Sequence, residues 1–241
     1  ADGMGAHAAG ELASDLASRL VPLAYERTAS RSPPLALRTS IEQANAEIYA
    51  RGSTADDLRG MGTTCTVLVL VPRGALVGHV GDSRCYRVRG DRIDQLSRDH
   101  SLAWEIEAQG PPGMDDAIPK NIITRSMGPH PEVKVDVEGP VPVEEGDVFV
   151  LCSDGLSGQV ANEEIGLLAA RLPPREATEA LVGLALVRGA PDNVTVIVIR
   201  AGAREASQVS RDDAPWPLTD TTSRSEEHTS ELQSRVDISY A

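Results

Sequence analysis

The stretch Val148-Phe149-Val150-Leu151-Cys152-Ser153-Asp154-Gly155-Leu156 constrains the fold most. A run of β-branched and aliphatic residues reads as a buried strand. It stops at Ser153-Asp154-Gly155, so Asp154 stands at a strand terminus with a turn behind it. Ala190-Pro191-Asp192-Asn193-Val194 inverts that order, and Asp192 lies at the mouth of a strand running from about Val194 to Ile199. A further Asp-Gly turn opens the chain in Asp2-Gly3-Met4-Gly5-Ala6-His7. Its glycines let the backbone approach a ligand and adopt positive φ. Asp2 supplies a hard anionic oxygen and the Gly3 carbonyl a neutral one, which suits a small divalent cation such as Mg²⁺ or Mn²⁺. Each of these segments alone reads equally as an ordinary turn. Aspartates at the ends of core strands, far apart in sequence, can converge on one point. Together they fit an all-oxygen metal site.

Gly81-Asp82-Ser83-Arg84 lies between two alternating apolar stretches, Ala75 to Val80 and Cys85 to Val88. One reading is a hairpin turn, with Asp82 and Ser83 bonding to nearby backbone. The other adds Asp82 to the acidic site.

The remaining periodicities give a mixed α/β chain. Leu12, Leu16 and Leu20, with Ala13 and Ala17 beside them, predict an amphipathic helix over Ala8 to Tyr25. Ser32-Pro33-Pro34 breaks it, and either proline can start a second helix through about Ala50. Thr64 to Val71 predicts a buried strand, with Cys65, Val67, Val69 and Val71 on one face and Leu68 and Leu70 on the other. Strands follow to about Leu96, with turns at Pro72-Arg73-Gly74 and Arg89-Gly90-Asp91. Ser101 to Gln109 reads as a short helix, with Asp99 or Ser101 as a cap, and His100 beside them reads as structural. Gly110 to Pro119 reads as a loop near the site, with Asp115 and Asp116 on a solvated surface. Val133 to Val137 reads as a strand, and Glu163 to Leu172 and Arg175 to Val187 as helices around Pro173-Pro174.

A chain of 241 residues is long enough for one large domain with a sizeable core. Aromatic residues are only 3% of it, so that core must be built from Val, Leu, Ile and Ala. A net charge of −13 argues against a nucleic-acid-binding face, which needs a basic patch. Cys65, Cys85 and Cys152 each lie in an apolar run, and they read as reduced thiols of a cytoplasmic protein. No apolar run approaches the length of a membrane span.

Seven segments in order then carry a resemblance. They are Asp2 to His7, Gly62-Thr63-Thr64, Gly81-Asp82-Ser83-Arg84, Leu96 to Ser101, Ile123 to Gly128, Ser153-Asp154-Gly155-Leu156 and Asp192-Asn193-Val194-Thr195. The series resembles the bacterial branch of the PP2C-type (PPM) metal-dependent protein serine/threonine phosphatases. The resemblance implies a four-layer αββα sandwich, two antiparallel sheets flanked by helices. It implies hydrolysis of phosphoserine and phosphothreonine by a water bridging two Mn²⁺ or Mg²⁺ ions, without a phosphoenzyme. Asp2 would bridge both ions, and the Gly3 carbonyl would reach the second directly or through water. Asp154 and Asp192 would complete the first ion's shell, and Asp82 with Asp154 would hold a weaker third ion. Phosphorylated proteins, Ser/Thr kinases among them, would be the substrates of a monomeric enzyme. A catalytically silent relative that binds phosphoproteins or a partner is the alternative, although four convergent carboxylates are costly for a binding module to keep.

The chain departs from the pattern at its start. Family members open with strands carrying a phosphate-binding Arg and an acidic metal ligand. This chain begins inside the Asp-Gly motif and is expected to lack both, with weakened activity. Ala6 replaces the usual second glycine, and Met4 stands where some relatives have a His. His7 therefore reads as a helix-start hydrogen-bond partner rather than a general acid, with both roles open. The phosphatase domain is expected over 1–201, and 202–223 reads as a polar linker. Residues 224–241, containing Arg224-Ser225-Glu226-Glu227-His228-Thr229-Ser230-Glu231-Leu232-Gln233-Ser234-Arg235, read as a translated sequencing adapter and are set apart. The acidic balance survives their exclusion.

Overall fold

A computed structural model of the chain describes residues 1–4, 7–29, 32–109, 122–202 and 236–240. The expected loop at Gly110 to Pro119, with Asp115 and Asp116, and the linker at 202–223 beyond its first residue lie outside them.

The chain starts in a short strand, Gly3–Met4 (β1), and enters the helix His7–Thr28 (α1). Ala9, Ala13, Ala17 and Val21 recur every four residues on its buried stripe, and Leu12, Leu16 and Leu20 pack along the flank. Pro33–Gly52 (α2) begins on prolines whose missing N–H groups cost nothing at a helix start. Its buried side includes Leu37, Ile41, Ala44 and Ile48. After Gly62–Thr63 (β2), which pairs with β1, the chain runs through Cys65–Val71 (β3) and Gly74–Val80 (β4). It continues into Arg84–Arg89 (β5), Arg92–Gln95 (β6) and the helix Leu102–Gln109 (α3). Asp136–Val141 (β7), Val148–Cys152 (β8) and the single turn Asp154–Ser157 (α4) follow. Helices Asn162–Arg171 (α5) and Pro174–Val187 (α6) precede the strands Val196–Ala201 (β9) and Val236–Tyr240 (β10).

The larger strands form two antiparallel sheets. One is ordered β3-β4-β7, the other β10-β9-β8-β5-β6. Apolar packing falls into three zones. Helices α1 and α2 cover the first sheet through Leu37, Ile41, Ile48, Leu76 and Val80. Helices α5 and α6 cover the second through Ile165, Ala177, Leu181, Val150 and Val198. Val77, Cys85 and Leu151 meet between the sheets, with Leu68, Ile197 and Ile199 against them. Helix, sheet, sheet and helix thus stack in four layers, as expected. The faces of β3 divide as its alternation predicts: Cys65, Val67, Val69 and Val71 turn to the helices, and Leu68 turns inward. Cys65, Cys85 and Cys152 are buried and free.

Two readings need correction. Gly81 to Ser83 is not a hairpin turn, because β4 and β5 belong to different sheets and the segment crosses from one to the other. The strand expected over Val133 to Val137 is displaced to Asp136–Val141. Its pairing with β4 begins at His79↔Asp136, and β4 itself ends at Val80. Val135 falls opposite that last residue and the residues before it overrun the strand, so Val133 and Val135 pack against the helices without a ladder. Within the segment set apart as 224–241, β10 pairs along β9 from Val236↔Ala201 to Tyr240↔Ile197.

Candidate metal centre

Asp2 is anchored by its backbone. Its N–H donates to Thr64 Oγ1 at 2.9 Å. Its carbonyl accepts from the Thr64 N–H and the Thr63 hydroxyl, both at 2.9 Å. Because Thr64 Oγ1 accepts from Asp2, its own proton is free for Ser83 Oγ, 2.8 Å away. Thr64 therefore joins the opening turn to the Asp82 turn. Gly81 holds φ of 113°, and a β-carbon there would meet Thr64 Cγ2 at 2.6 Å, so glycine is required on both counts.

Asp154 and Asp192 are joined by a second set of contacts. Asp154 is the first residue of α4, directly beyond the end of β8. Ser153 Oγ donates to the Asn193 carbonyl at 3.2 Å and accepts from the Thr195 N–H at 3.1 Å. The Ser153 N–H reaches the Thr195 carbonyl at 3.1 Å. Asp192 Oδ1 caps the Asn193 N–H at 2.7 Å. These bonds lock the turn after β8 to the turn before β9.

The electrostatics show the convergence. Asp2 is pushed up to about 7 by burial, by the Asp154 charge, by a hydrogen bond with Asp154 and by the Asp192 charge. Asp82 is pushed up to about 6 by burial first, then by Asp154 and Asp99. Asp154 is thus the common neighbour of Asp2 and Asp82. Its Oδ1 is buried with no hydrogen-bond partner among the described residues. A buried carboxylate oxygen without a donor, in a cluster of repelling carboxylates, fits a hard cation. Among the described residues no acidic, His or Cys side chains are already closed into a ligand cage of three. Gly3 is exposed in β1, next to Asp2.

Several residues around these carboxylates carry roles that the sequence did not assign. Thr64, Ser83, Ser153 and Asn193 form the bonds that hold the aspartate-bearing turns together. The signal was there in their place beside each aspartate in the ordered motifs. Arg84 Nε and Nη2 both donate to Asp99 Oδ2 at 2.9 and 2.7 Å, and Nε also reaches Oδ1 at 3.1 Å, so Asp99 is an ion-pair partner rather than a helix cap. Ser101 takes the cap instead, its Oγ accepting from the Trp104 N–H at 3.3 Å. His100 is buried as expected and bonds to Gly81 and Asp136. The His7 side chain lies outside the described residues.

The family pattern described as Protein phosphatase 2C matches residues 1–182. The chain belongs to the protein phosphatase 2C family. This is a family of phosphoprotein phosphatases. The chain is 34% identical over 220 residues to "Serine/threonine phosphatase stp" of Listeria monocytogenes, covering 88% of this chain and 86% of that one. It is 36% identical over 213 residues to "Protein phosphatase PhpP" of Streptococcus pneumoniae, covering 86% of each. The crystal structure of the Mycobacterium tuberculosis serine/threonine phosphatase PstP/Ppp superposes with a TM-score of 0.76 at 32% identity, covering 84% of this chain and 86% of that one. A PstP catalytic domain in complex with two manganese ions gives a TM-score of 0.68 at 33% identity, covering 81% and 83%. These likenesses confirm the αββα sandwich and the family expected from the motifs. Among the described residues no helix is long and apolar enough to cross a membrane.

Proposed function

We propose that this chain removes phosphate from phosphoserine and phosphothreonine on proteins, with Asp2, Gly3, Asp82, Asp154 and Asp192 as its metal-binding set. The observation that carries the reading is the mutual repulsion of Asp2, Asp154 and Asp192 around an unpartnered Asp154 Oδ1. Four carboxylates alone would repel a phosphomonoester dianion, so the cluster makes chemical sense only when loaded with cations. Two Mn²⁺ or Mg²⁺ ions held by these residues would neutralise that charge and would supply an activated water for hydrolysis of the phosphate ester. The family membership and the manganese-bound PstP domain support this choice of ions.

The chain's own residues hold this arrangement. Asp2 and Asp154 share the centre of the cluster, so they bear the largest part of the ion charge. Asp192 completes the set from the β9 side, and the Gly3 carbonyl adds a neutral oxygen from the β1 side. Asp82, coupled to Asp154 rather than to Asp2, serves a further and weaker ion. Buried cysteines take no part: burial holds Cys65 up at about 11 and Cys152 at about 12, so neither is a thiolate nucleophile near neutral pH. Phosphorylated proteins are the proposed substrates, as the names of the relatives support, and Ser/Thr kinases are proposed among them.

The test is Mn²⁺-dependent phosphate release from a phosphothreonine peptide, with Asp154→Asn alongside. Release that needs Mn²⁺ and falls at least about a hundredfold in the variant supports the reading. Mn²⁺ affinity unchanged in Asp154→Asn would remove Asp154 from the centre. No release by a folded, Mn²⁺-bound protein would turn the reading toward a silent phosphoprotein-binding module.

A further inference from the structure

Behind the Asp82 turn lies a buried cluster that the metal set does not include. The His100 N–H donates to the Gly81 carbonyl at 2.7 Å. The Gly81 N–H donates back to His100 Nδ1 at 3.0 Å. One residue thus holds both polar groups of the glycine that precedes Asp82. Gly81 needs such a clamp, because its φ of 113° leaves the chain free to swing unless both groups are held.

The ring chemistry follows from those bonds. Nδ1 accepts, so it carries no proton, and the proton of the neutral ring lies on Nε2. Nε2, which then carries the proton, lies 2.9 Å from its acceptor Asp136 Oδ2 and 2.8 Å from Arg125 Nη1, a donor that cannot accept from it. Arg125 Nη1 donates to Asp136 Oδ1 at 2.9 Å. Arg125 fixes Asp136, Asp136 fixes the tautomer of His100, and the tautomer provides the acceptor for Gly81. A protonated ring would lose that acceptor; burial and the Arg125 charge both hold His100 below the usual histidine range. The His79 ring lies against it, centroids 4.8 Å apart, and blocks ring movement on that side. An Asp-His pair can also serve as a general base, but here the free nitrogen is spent on a backbone N–H, so it is a prop and not a base. The adjacent Asp99 holds Arg84 on the far side of Asp82. Both flanks of Asp82 are therefore tied to one short segment, Asp99-His100.

We propose that His100 is a positioning residue that sets Asp82 for metal binding by clamping Gly81, with Asp136 holding its tautomer. This inference rests on the assignment of Asp82 as a ligand under the proposed function. A carboxylate that orients a histidine is a common device around metal ligands, and its loss costs about 10–100-fold in affinity. Here the histidine orients backbone instead of the ion.

The experiment is Mn²⁺ titration calorimetry on the full chain and on Asp82→Ala, His100→Asn and His100→Gln. Each variant is first checked by circular dichroism and by thermal unfolding in EDTA. Asp82→Ala identifies the Asp82-dependent ion. An asparagine amide oxygen stands near the place of Nδ1 and can accept from Gly81, whereas a glutamine amide reaches the place of Nε2 and cannot. The Asp82-dependent ion is expected to weaken about tenfold or more in His100→Gln and to stay within about threefold in His100→Asn, the other ions being unchanged in both. Asp136→Asn, which releases the tautomer without touching Gly81, is expected to fall between the two and serves if His100→Gln does not fold. Equal affinities in the Asn and Gln variants, or no loss in Gln and Asp136→Asn, overturn the inference. An isotherm unaltered by Asp82→Ala overturns it earlier, by removing Asp82 from the site while leaving the Asp154 result to judge the phosphatase reading.

Discussion

Gly155 faces the Asn193 backbone carbonyl with no room for a side chain between them. A β-carbon on Gly155 would stand 3.0 Å from the carbonyl carbon and closer still to its oxygen. Asp154 precedes the glycine and Asp192 precedes the asparagine, so this close approach sets the spacing of two proposed ligands. Gly155→Ala must push the turns apart, since backbone cannot yield as a flexible side chain would. We expect a stability loss of about 1–3 kcal/mol, typical of an overpacked site. We also expect Mn²⁺ affinity to fall about tenfold or more, as for lost support around a metal. Thermal unfolding in EDTA and Mn²⁺ calorimetry measure the two separately. Unchanged affinity in a folded variant would show that the two turns are spaced by other contacts.

The raised Asp2 makes the metal-free protein sensitive to pH. An acid whose folded value lies near 7, against an ordinary 3.8, holds its proton more tightly when folded. Its contribution is fully present below 3.8 and is lost as pH rises toward 7. Asp82, at about 6, acts in the same direction. His79 acts in the opposite one: burial lowers it to about 4, so its contribution is lost as pH falls from 6.5 toward that value. A single melting curve mixes these effects, and a difference separates them. In EDTA the Tm of Asp2→Asn minus that of the unaltered chain should grow from pH 5 to pH 8. Saturating Mn²⁺ should restore the unaltered chain at pH 8 and not the variant. A difference independent of pH would mean that Asp2 does not carry the repulsion assigned to it.

The legible parts of this fold are those in which periodicity and burial agree. The four-residue stripe of Ala9, Ala13 and Ala17 and the alternation of Cys65, Val67 and Val69 each have one buried face, and each could be read directly. Asp154 was legible because an apolar run stops at it. The separation of β4 from β5 was not, since alternation looks the same whether the next strand joins the same sheet or the opposite one. Only the long-range pairing separates them, with β4 between β3 and β7 and β5 between β8 and β6, and Thr64 and His100 reach Ser83 and Gly81 in the crossing segment from distant parts of the chain. The strand around Asp136 was misplaced because Val133 and Val135 alternate as strand residues do, yet they serve the helix-facing core beyond the end of β4. The closeness of Asp2, Asp154 and Asp192 was inferred from ordered motifs, because local sequence carries no long-range distance.

Asn45 is one residue whose role emerges only from the packing. It lies on the buried face of α2 among Ile41, Ala44 and Ile48. Its Oδ1 accepts from the Gly128 N–H at 2.8 Å. Its Nδ2 donates to the carbonyls of His130 and Pro131, both at 3.1 Å. A single amide thus satisfies three backbone groups of the segment after Met127. Asn45→Ala strands them, and a stability loss of about 2–4 kcal/mol is expected in urea unfolding. Asn45→Asp keeps the acceptor but loses both donors and brings a charge against two carbonyls, so it should be no better. Losses below about 0.5 kcal/mol in both would mean that water replaces the amide without cost.

The Arg84–Asp99 pair allows support of the Asp82 turn to be separated from support of the whole fold. Asp99 keeps only 8% of its side chain exposed, and Arg84 holds both of its oxygens. Gln95 adds a bond to Asp99 Oδ1 at 2.8 Å, and Arg84 also reaches the Tyr86 hydroxyl at 3.1 Å. Removing the cation alone leaves a buried carboxylate with one neutral donor, so Arg84→Ala should cost about 3–5 kcal/mol. Asp99→Asn keeps the shape and removes the charge that Arg84 balances, and its cost should be smaller. The double variant should then be more stable than the sum of the single losses implies, by about 1–3 kcal/mol of coupling. Lysine is no substitute, because one ammonium cannot replace the two guanidinium nitrogens that hold Asp99 and the third that reaches Tyr86. Urea unfolding of the four proteins gives the cycle, and Mn²⁺ titration of the same four shows whether the Asp82-dependent ion follows it. Additive losses would show that the two residues act separately, with the 99–100 segment held to the Asp82 turn by His100 alone.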